Sequence, residues 1–265
     1  MIELEFDNAF QAQHLAVPMS QAYSVAPRDD AADAAGRLRE QRFDQAPVVH
    51  GDRILGFVLT RHLQPGRRVA DAMTPLGSGN VVSGDASIGR LMEWILDPGF
   101  LFVLEGRDVT GFISVSDFIK QPVRGYLYLL LARLEIGLAG LARRRFPEQE
   151  EARALLTREA KRTVLKRYNG DREVGKETEL LAYFGFPDLI GVFTADDELR
   201  RTLGVLSRDE WIAAIDGFVA LRNDVMHPIR NVDLAKDGLV RLQASEQRIR
   251  FLIDKVESAT MDAAP

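Results

Sequence analysis

"FDQAPVVHGDRILGFVLTRHL" (residues 43–63) aligns without a gap to "PGFLFVLEGRDVTGFISVSDF" (residues 98–118), and this repeat decides how the first half of the chain folds. Gly56 and Gly111 hold the same place in the two copies, 55 residues apart. Each copy reads as a strand, a polar turn (His50-Gly51-Asp52 or Glu105-Gly106-Arg107) and a second strand running into a helix start. Upstream of each lies a helical pattern, "DDAADAAGRLREQ" (29–41) and "DASIGRLMEWIL" (85–96), for which Asp30 and Asp85 are the expected N-terminal caps. Two such strand-helix-strand-strand-helix units, each with an unpaired sheet face, predict one α/β domain in which the faces pack on one another.

A chain of 265 residues is long enough for two modest domains, each with its own core. Hydrophobic residues at 46% and charged residues at 28% are ordinary for a globular protein. A formal net charge of −5 supplies no global positive field for nucleic acid or an anionic membrane, which leaves only local basic patches. The absence of cysteine excludes disulfides, thiolate nucleophiles and cysteine zinc sites, and suits a reducing cytoplasm. The N-terminal "MIELEFDNAF" carries early acids and no basic-then-apolar signal pattern. The most apolar run, "GYLYLLLARLEIGLAGLA" (125–142), is interrupted by Arg133 and Glu135, short of the roughly 18 uninterrupted apolar residues of a spanning helix. A cytoplasmic location without a membrane partner is the expectation.

After Pro122 the pattern changes. Leu127, Leu131, Leu134, Leu138 and Leu141 form one stripe at spacings of three and four, the mark of an amphipathic helix. A second helix is expected over "EQEEARALLTREAKRTVLKRY" (148–168), shorter ones around "ETELLAYFGF" and "TADDELRRTLGVL", another from about Ser207, and a last over roughly 239–258. Gly170, Phe186-Pro187 and Pro228 punctuate them. The domains are therefore placed at 1–122 and 123–265. Arg158, Arg162 and Lys166 make a basic ridge, with Lys161 and Arg167 adjoining and Arg143, Arg144 and Arg145 nearby. Such a ridge tracks a phosphate backbone or is a solvated helix face.

The first half resembles the CBS domain pair, an α/β Bateman module, with repeats at about 15–64 and 69–121. The resemblance is carried by "APVVHGDRILGFVLTRHL", the inter-repeat "VADAMTP" (69–75) and "VTGFISVSDF". It implies an adenine nucleotide (AMP, ATP or related) as a regulatory ligand. The family's contact motif is matched throughout in the second copy as Gly111-Phe112-Ile113-Ser114-Val115-Ser116-Asp117. A carboxylate at Asp117 can accept from ribose hydroxyls, while Ser114 and nearby backbone N–H groups donate to phosphate. By the same resemblance, Gly111 belongs to the site and the backbone near Val82 approaches the adenine edge. The first copy has Leu59 and His62 where the hydroxyl and carboxylate belong, so one working site is expected. The alternative is that Asp117 is only a helix cap.

The second half turns on "GFVALRNDVMHPIR" (217–230). Trp211, Ile215, Phe218 and Arg222 follow at spacings of four, three and four, so Arg222 stands where the next core residue belongs. A guanidinium on an apolar face costs on the order of several kcal/mol unless it is paired or opens into a wet cleft. It snorkels past the core, pairs with an acid such as Glu135, or serves as a functional cation. Because the residue before a proline disfavours helical geometry, the helix should end near Met226 or His227. Arg222 and His227 lie about 140° apart on an ideal helix, so a distorted last turn is needed to bring both to one cleft.

Arg222, Asn223 and His227 match the Arg-polar-x3-His motif of HEPN domains, α-helical bundles found in RNA-cleaving toxins and defence proteins, and this half resembles that family over roughly 124–260. "LARLEIGLAGLARRRF" resembles its opening helix, with Glu135 at the position of its recurrent acid. The resemblance implies a metal-independent endoribonuclease. His227 takes the proton from a ribose 2′-OH, Arg222 stabilises the charge growing on the phosphate, and Asn223 orients the phosphate or the imidazole. Products would be a 2′,3′-cyclic phosphate and a 5′-hydroxyl. A homodimer acting on single-stranded RNA is expected, with DNA untouched because it lacks the nucleophile. The rival readings are a non-catalytic nucleotide-sensing or RNA-binding dimer and a regulatory subunit of a separate enzyme.

Overall fold

The computed structural model describes residues 9–176, 178–205, 207–227 and 236–261. The chain divides into two compact units, Met1–Val123 with Asp233–Val240 and Arg124–Val232 with Arg241–Pro265.

The first unit runs α1 (Ala12–Leu15), β1 (Val17–Pro18), α2 (Ala31–Glu40), β2 (Gln45–His50), β3 (Arg53–Leu59), α3 (Val69–Ala72), β4 (Thr74–Pro75), β5 (Val81–Ser83), α4 (Ile88–Trp94), β6 (Phe100–Glu105) and β7 (Asp108–Ser114). Its two hairpins repeat residue for residue. Gln45 faces Leu59 in the first and Phe100 faces Ser114 in the second, and each ladder slips after the residue facing its glycine, between Val48 and Val49 and between Val103 and Leu104.

The hairpins trade edges, which the repeat alone does not reveal. β4 leads into the second copy yet pairs with β3 of the first, Gly56 opposite Pro75. β1 leads into the first copy yet pairs with β7 of the second, Gly111 opposite Pro18. The resulting sheets are ordered β2-β3-β4 and β1-β7-β6-β5. Both exchanged strands end in proline, which an edge strand tolerates because its N–H need not join a ladder. Glycine permits the approach: a Cβ at Gly111 would lie 2.8 Å from the Val17 carbonyl oxygen, and one at Gly56 would overlap the Thr74 carbonyl.

Phe57 and Leu59 of one sheet and Phe100 and Phe102 of the other form a single apolar cluster, as expected for faces packed together. A second core lies under α2, whose Ala31, Ala34, Ala35 and Leu38 pack against Ala46, Val48 and Val58. Asp30 caps α2 through the Ala32 and Asp33 amides. Asp85 does not cap α4: the N-cap is Ser87.

The second unit is helical among the described residues. It comprises α5 (Gln121–Arg145, whose first residues belong to the other unit), α6 (Gln149–Ala154), α7 (Arg158–Glu173), α8 (Phe186–Ala195), α9 (Asp197–Thr202), α10 (Arg208–Ile215), α11 (Phe218–Met226) and α12 (Lys236–Met261). α5 is long and apolar enough to cross a bilayer by length and composition. Its leucine stripe is nonetheless buried within the protein, Leu127, Leu134 and Leu138 being fully covered.

Three expectations change here. The helix over 148–168 is two helices, because Thr157 starts α7 by accepting from the Ala160 amide. Phe186-Pro187 opens α8 rather than separating elements, since a first-turn proline forfeits an N–H that has no intrahelical partner. The helix from Ser207 breaks at Gly217, whose φ of 78° is left-handed, so the stripe from Trp211 to Arg222 spans two helices. Pro228 lies outside the described residues.

Gly56→Ala should loosen β4 and destabilise the first unit by about 1–3 kcal/mol, the usual range for overpacking. Gly111→Ala should cost less because its clash is milder. Urea unfolding of both variants tests the order.

Candidate functional site

Where β7 ends, the chain passes at Ser114 into a 3-10 turn, Val115–Ile119. Asp117 Oδ2 accepts from the Ser114 amide at 2.7 Å and from Ser114 Oγ at 2.8 Å. Its Oδ1 lies 2.8 Å from Lys120 Nζ, which also donates to the Leu15 carbonyl at 2.8 Å. Asp117 is thus a cap in fact. Each carboxylate oxygen offers two lone pairs, so Oδ1 keeps one for a further donor. The turn borders a cavity of about 300 Å³ whose lining includes Tyr23, Phe43, Phe112, Ser114, Ser116 and Asp117. The hydroxyls of Ser114 and Ser116 are 2.8 Å apart there. Tyr23 and Phe43 pair with ring centroids 5.8 Å apart and stay partly exposed.

Two expected site residues are placed otherwise. Val82 does not line this cavity: the order β1-β7-β6-β5 sets β5 two strands away from β7, and Val82 is buried. Gly111 does not line it either, but admits β1 alongside β7. Segment 17–23 instead brings Val17, Gln21 and Tyr23 to the cavity. Its sequence signal was "AVPMS" (16–20), the counterpart of "MTPLG" (73–77), with Pro18 and Pro75 each opposite a repeat glycine. At the matching turn of the first copy, Leu59 joins the aromatic cluster and His62 is exposed, so no carboxylate is presented.

In the second unit, Glu135 on α5 and Arg222 on α11 share a crevice of about 80 Å³ with Tyr128, Ala132, Val225 and Met226. Burial raises the Glu135 carboxyl above its ordinary 4.5, while the Arg222 charge and the Phe186 amide pull it back. No hydrogen bond or ion pair joins Glu135 to Arg222 among the described residues. Asn223 and His227 do not line the crevice. The last turn is not distorted: the His227 amide donates to the Asn223 carbonyl at 3.1 Å in regular helical fashion. His227 leaves the helix only at its own ψ of 97°, and its side chain is exposed.

Arg124, at the head of the leucine stripe, holds this helix end. The buried guanidinium donates through Nη1 to the Asp224 carbonyl at 2.8 Å and the His227 carbonyl at 3.2 Å, where positive charge suits the helix C-terminus. Its signal was present, since Arg124 extends the leucine stripe by one step of three. On α7, Arg158, Arg162 and Lys166 are exposed and without ion pairs among the described residues. Arg143 and Arg145 instead pair with Glu179 and with Asp196 and Glu198.

The family model for the CBS domain matches residues 15–64, so the N-terminal part of the chain carries a CBS domain. The repeated hairpin makes it a CBS-pair α/β module. Similar solved structures include the CBS domain of the bacterial CNNM/CorC family Mg2+ transporter in complex with ATP, at 19% identity and a TM-score of 0.38, covering 46% of this chain and 92% of that one. The CBS-pair protein CBSX2 from Arabidopsis thaliana, at 20% identity and a TM-score of 0.38, covers 45% of this chain and 96% of that one. The same protein in complex with AMP gives 20% identity and a TM-score of 0.38, covering 45% and 98%. No curated protein matches the chain.

A carboxyl whose pKa is raised by folding contributes stability below its unfolded value, near 4.5, and loses it as pH rises through the folded value. Glu135→Gln should abolish that loss. Relative to wild type, the variant should gain stability as pH increases from about 4.5 toward neutrality, then level off, in urea unfolding across that range.

Proposed function

We propose that the CBS-pair module senses an adenine nucleotide and that the helical unit is its effector, a metal-independent endoribonuclease of the HEPN type. The observation that carries the first part is the cavity beside Asp117. Its aromatic side chains suit a base, Oδ1 of Asp117 suits a ribose hydroxyl, and the serine pair suits a phosphate. The second part rests on Arg222, Asn223 and His227 in their HEPN-like spacing at a helix end, with Glu135 sharing the crevice of Arg222. In this reading His227 accepts the 2′-OH proton and Arg222 grips the phosphate. A second copy of the chain completes the cleft around two such motifs. Asp117 precedes the start of α5 by four residues, so ordering of its turn by a ligand has a short covalent route to the helical unit.

One observation favours a second reading. His227 and Asn223 stay out of the crevice that holds Arg222 and Glu135, as in a nucleotide-sensing or RNA-binding dimer that does not cut.

Labelled single-stranded RNA incubated with the full chain in EDTA, with and without adenine nucleotides, separates the two. The ribonuclease reading expects cyclic-phosphate ends, intact DNA, and at least about 100-fold loss of cleavage in both Arg222→Ala and His227→Ala. Nucleotide binding without cleavage under any condition selects the non-cutting dimer. Independently, Asp117→Ala should weaken nucleotide binding at least about tenfold by calorimetry. Unchanged affinity would move the ligand elsewhere.

A further inference from the structure

α2 ends in a left-handed turn of the kind that normally requires glycine. The Arg42 amide donates to the Arg39 carbonyl at 3.0 Å and the Phe43 amide to the Leu38 carbonyl at 2.8 Å, a Schellman closure. The left-handed position is filled by Arg42, at φ 59°, the one non-glycine residue with positive φ among those described. A side chain there crowds its own backbone, so arginine is a costly choice for a helix stop. In the repeat alignment Arg42 corresponds to Asp97, and the connection from α4 to β6 takes its left-handed residue two positions later, at Gly99, φ 83°. Only the first copy therefore carries a side chain in the left-handed region, and the turn alone gives no reason for it.

What differs is the surroundings. The Arg42 side chain lines the cavity that contains Ser114, Ser116 and Asp117, although it comes from the first copy and they come from the second. It has no hydrogen bond or ion pair among the described residues, unlike the arginines that tie the helical unit together. The other charges at the cavity are Asp44 and Asp117, and Asp117 is already neutralised by Lys120. Without Arg42 the cavity would carry the uncompensated charge of Asp44 and repel an anion. With it, a planar five-donor fork without a partner among the described residues lines the same cavity as two serine hydroxyls, chemistry that suits a phosphate group.

Resting on the reading of this cavity as an adenine-nucleotide site, we propose that Arg42 is its specificity residue, engaging the ligand's phosphate so that 5′-phosphorylated adenosine is bound in preference to adenosine. The strained turn holds the guanidinium at the rim at the expense of helix-stop stability.

Arg42→Gly separates the two roles, because glycine relieves the turn while deleting the fork. Adenosine, AMP and ATP would be titrated calorimetrically into the full-length wild-type and variant chains, with thermal melts alongside. The expected result is a loss of AMP and ATP affinity of about 10- to 100-fold, with adenosine affinity held within about twofold. The melting temperature should stay unchanged or rise by about 2–4 °C. Wild-type affinity for AMP and ATP in the variant would overturn the assignment while leaving the nucleotide site intact. An equal loss for adenosine would overturn it too, by showing that Arg42 shapes the whole cavity. A wild-type chain that binds no adenine nucleotide would remove the site reading and this inference together.

Discussion

Phe100 stands between two stacked partners, Phe57 at 4.9 Å and Phe112 at 5.0 Å, with Phe102 set edge-on at 5.0 Å. Phe57 comes from one sheet and the other three rings from the second, so this cluster is what joins the sheets. Each ring contributes burial worth about 1.5–3 kcal/mol, and well-oriented aromatic pairs add about 0.5–1.5 kcal/mol more. Phe112 takes part in the stack, faces Val17 of the exchanged strand, and forms part of the cavity wall. The wall is therefore as rigid as the core behind it. Freedom is left to the rim, where Tyr23, Arg42 and Phe43 are exposed.

The helical unit treats its charges in two ways. Buried Tyr126 and Glu246 are hydrogen-bonded to each other, and Arg250 donates to the phenol at 2.8 Å and to the carboxylate at 2.6 Å, tying α5 to α12. Burial pushes the Tyr126 phenol far above its ordinary range, so it remains a neutral donor to Glu246. Arg200, also buried, donates to the Phe193 carbonyl at 2.8 Å and the Thr194 carbonyl at 2.6 Å. Such groups are held by several hydrogen bonds each, although Arg200 Nε is buried without a partner among the described residues. Glu135 and Arg222 differ: the Arg222 charge lowers the Glu135 carboxyl across a crevice, with no direct bond between them among the described residues.

Much of this was legible in the sequence, and what was not had identifiable causes. The hairpins could be read because alternating apolar residues and a matched glycine repeat at a fixed interval. The exchange of β1 and β4 could not, since two-residue strands have no periodicity and their partners lie in the other copy. The leucine stripe announced α5 because one face is buried along its length. The break at Gly217 in the helix from Ser207 is not legible, because an isolated glycine within an apolar pattern does not reveal whether its φ will be positive. At the cavity beside the β7 turn, Asp117 and Ser114 were visible as a motif. Tyr23, Arg42 and Phe43 were not, since tertiary packing alone carries them to the second copy's turn. Arg222 was visible as a charge on an apolar face. Arg124 breaks the same rule at the head of its stripe, but the end position in an apolar pattern makes the break less visible.

The traded edges also govern how this chain can be made. β1 emerges from the ribosome early but has no ladder to join until β7 is synthesised, nearly the whole module later. The first hairpin likewise lacks its third strand until Thr74 and Pro75 appear, although the matched CBS segment closes at residue 64. Pairings so distant in sequence raise contact order and slow folding, and meanwhile the nascent chain carries open strand edges. The proline at the end of each exchanged strand blunts that hazard, because it has no amide hydrogen to give to a neighbouring chain. A fragment cut at the boundary of one repeat would keep its hairpin and lose its edge, and the smallest piece able to fold would be the pair.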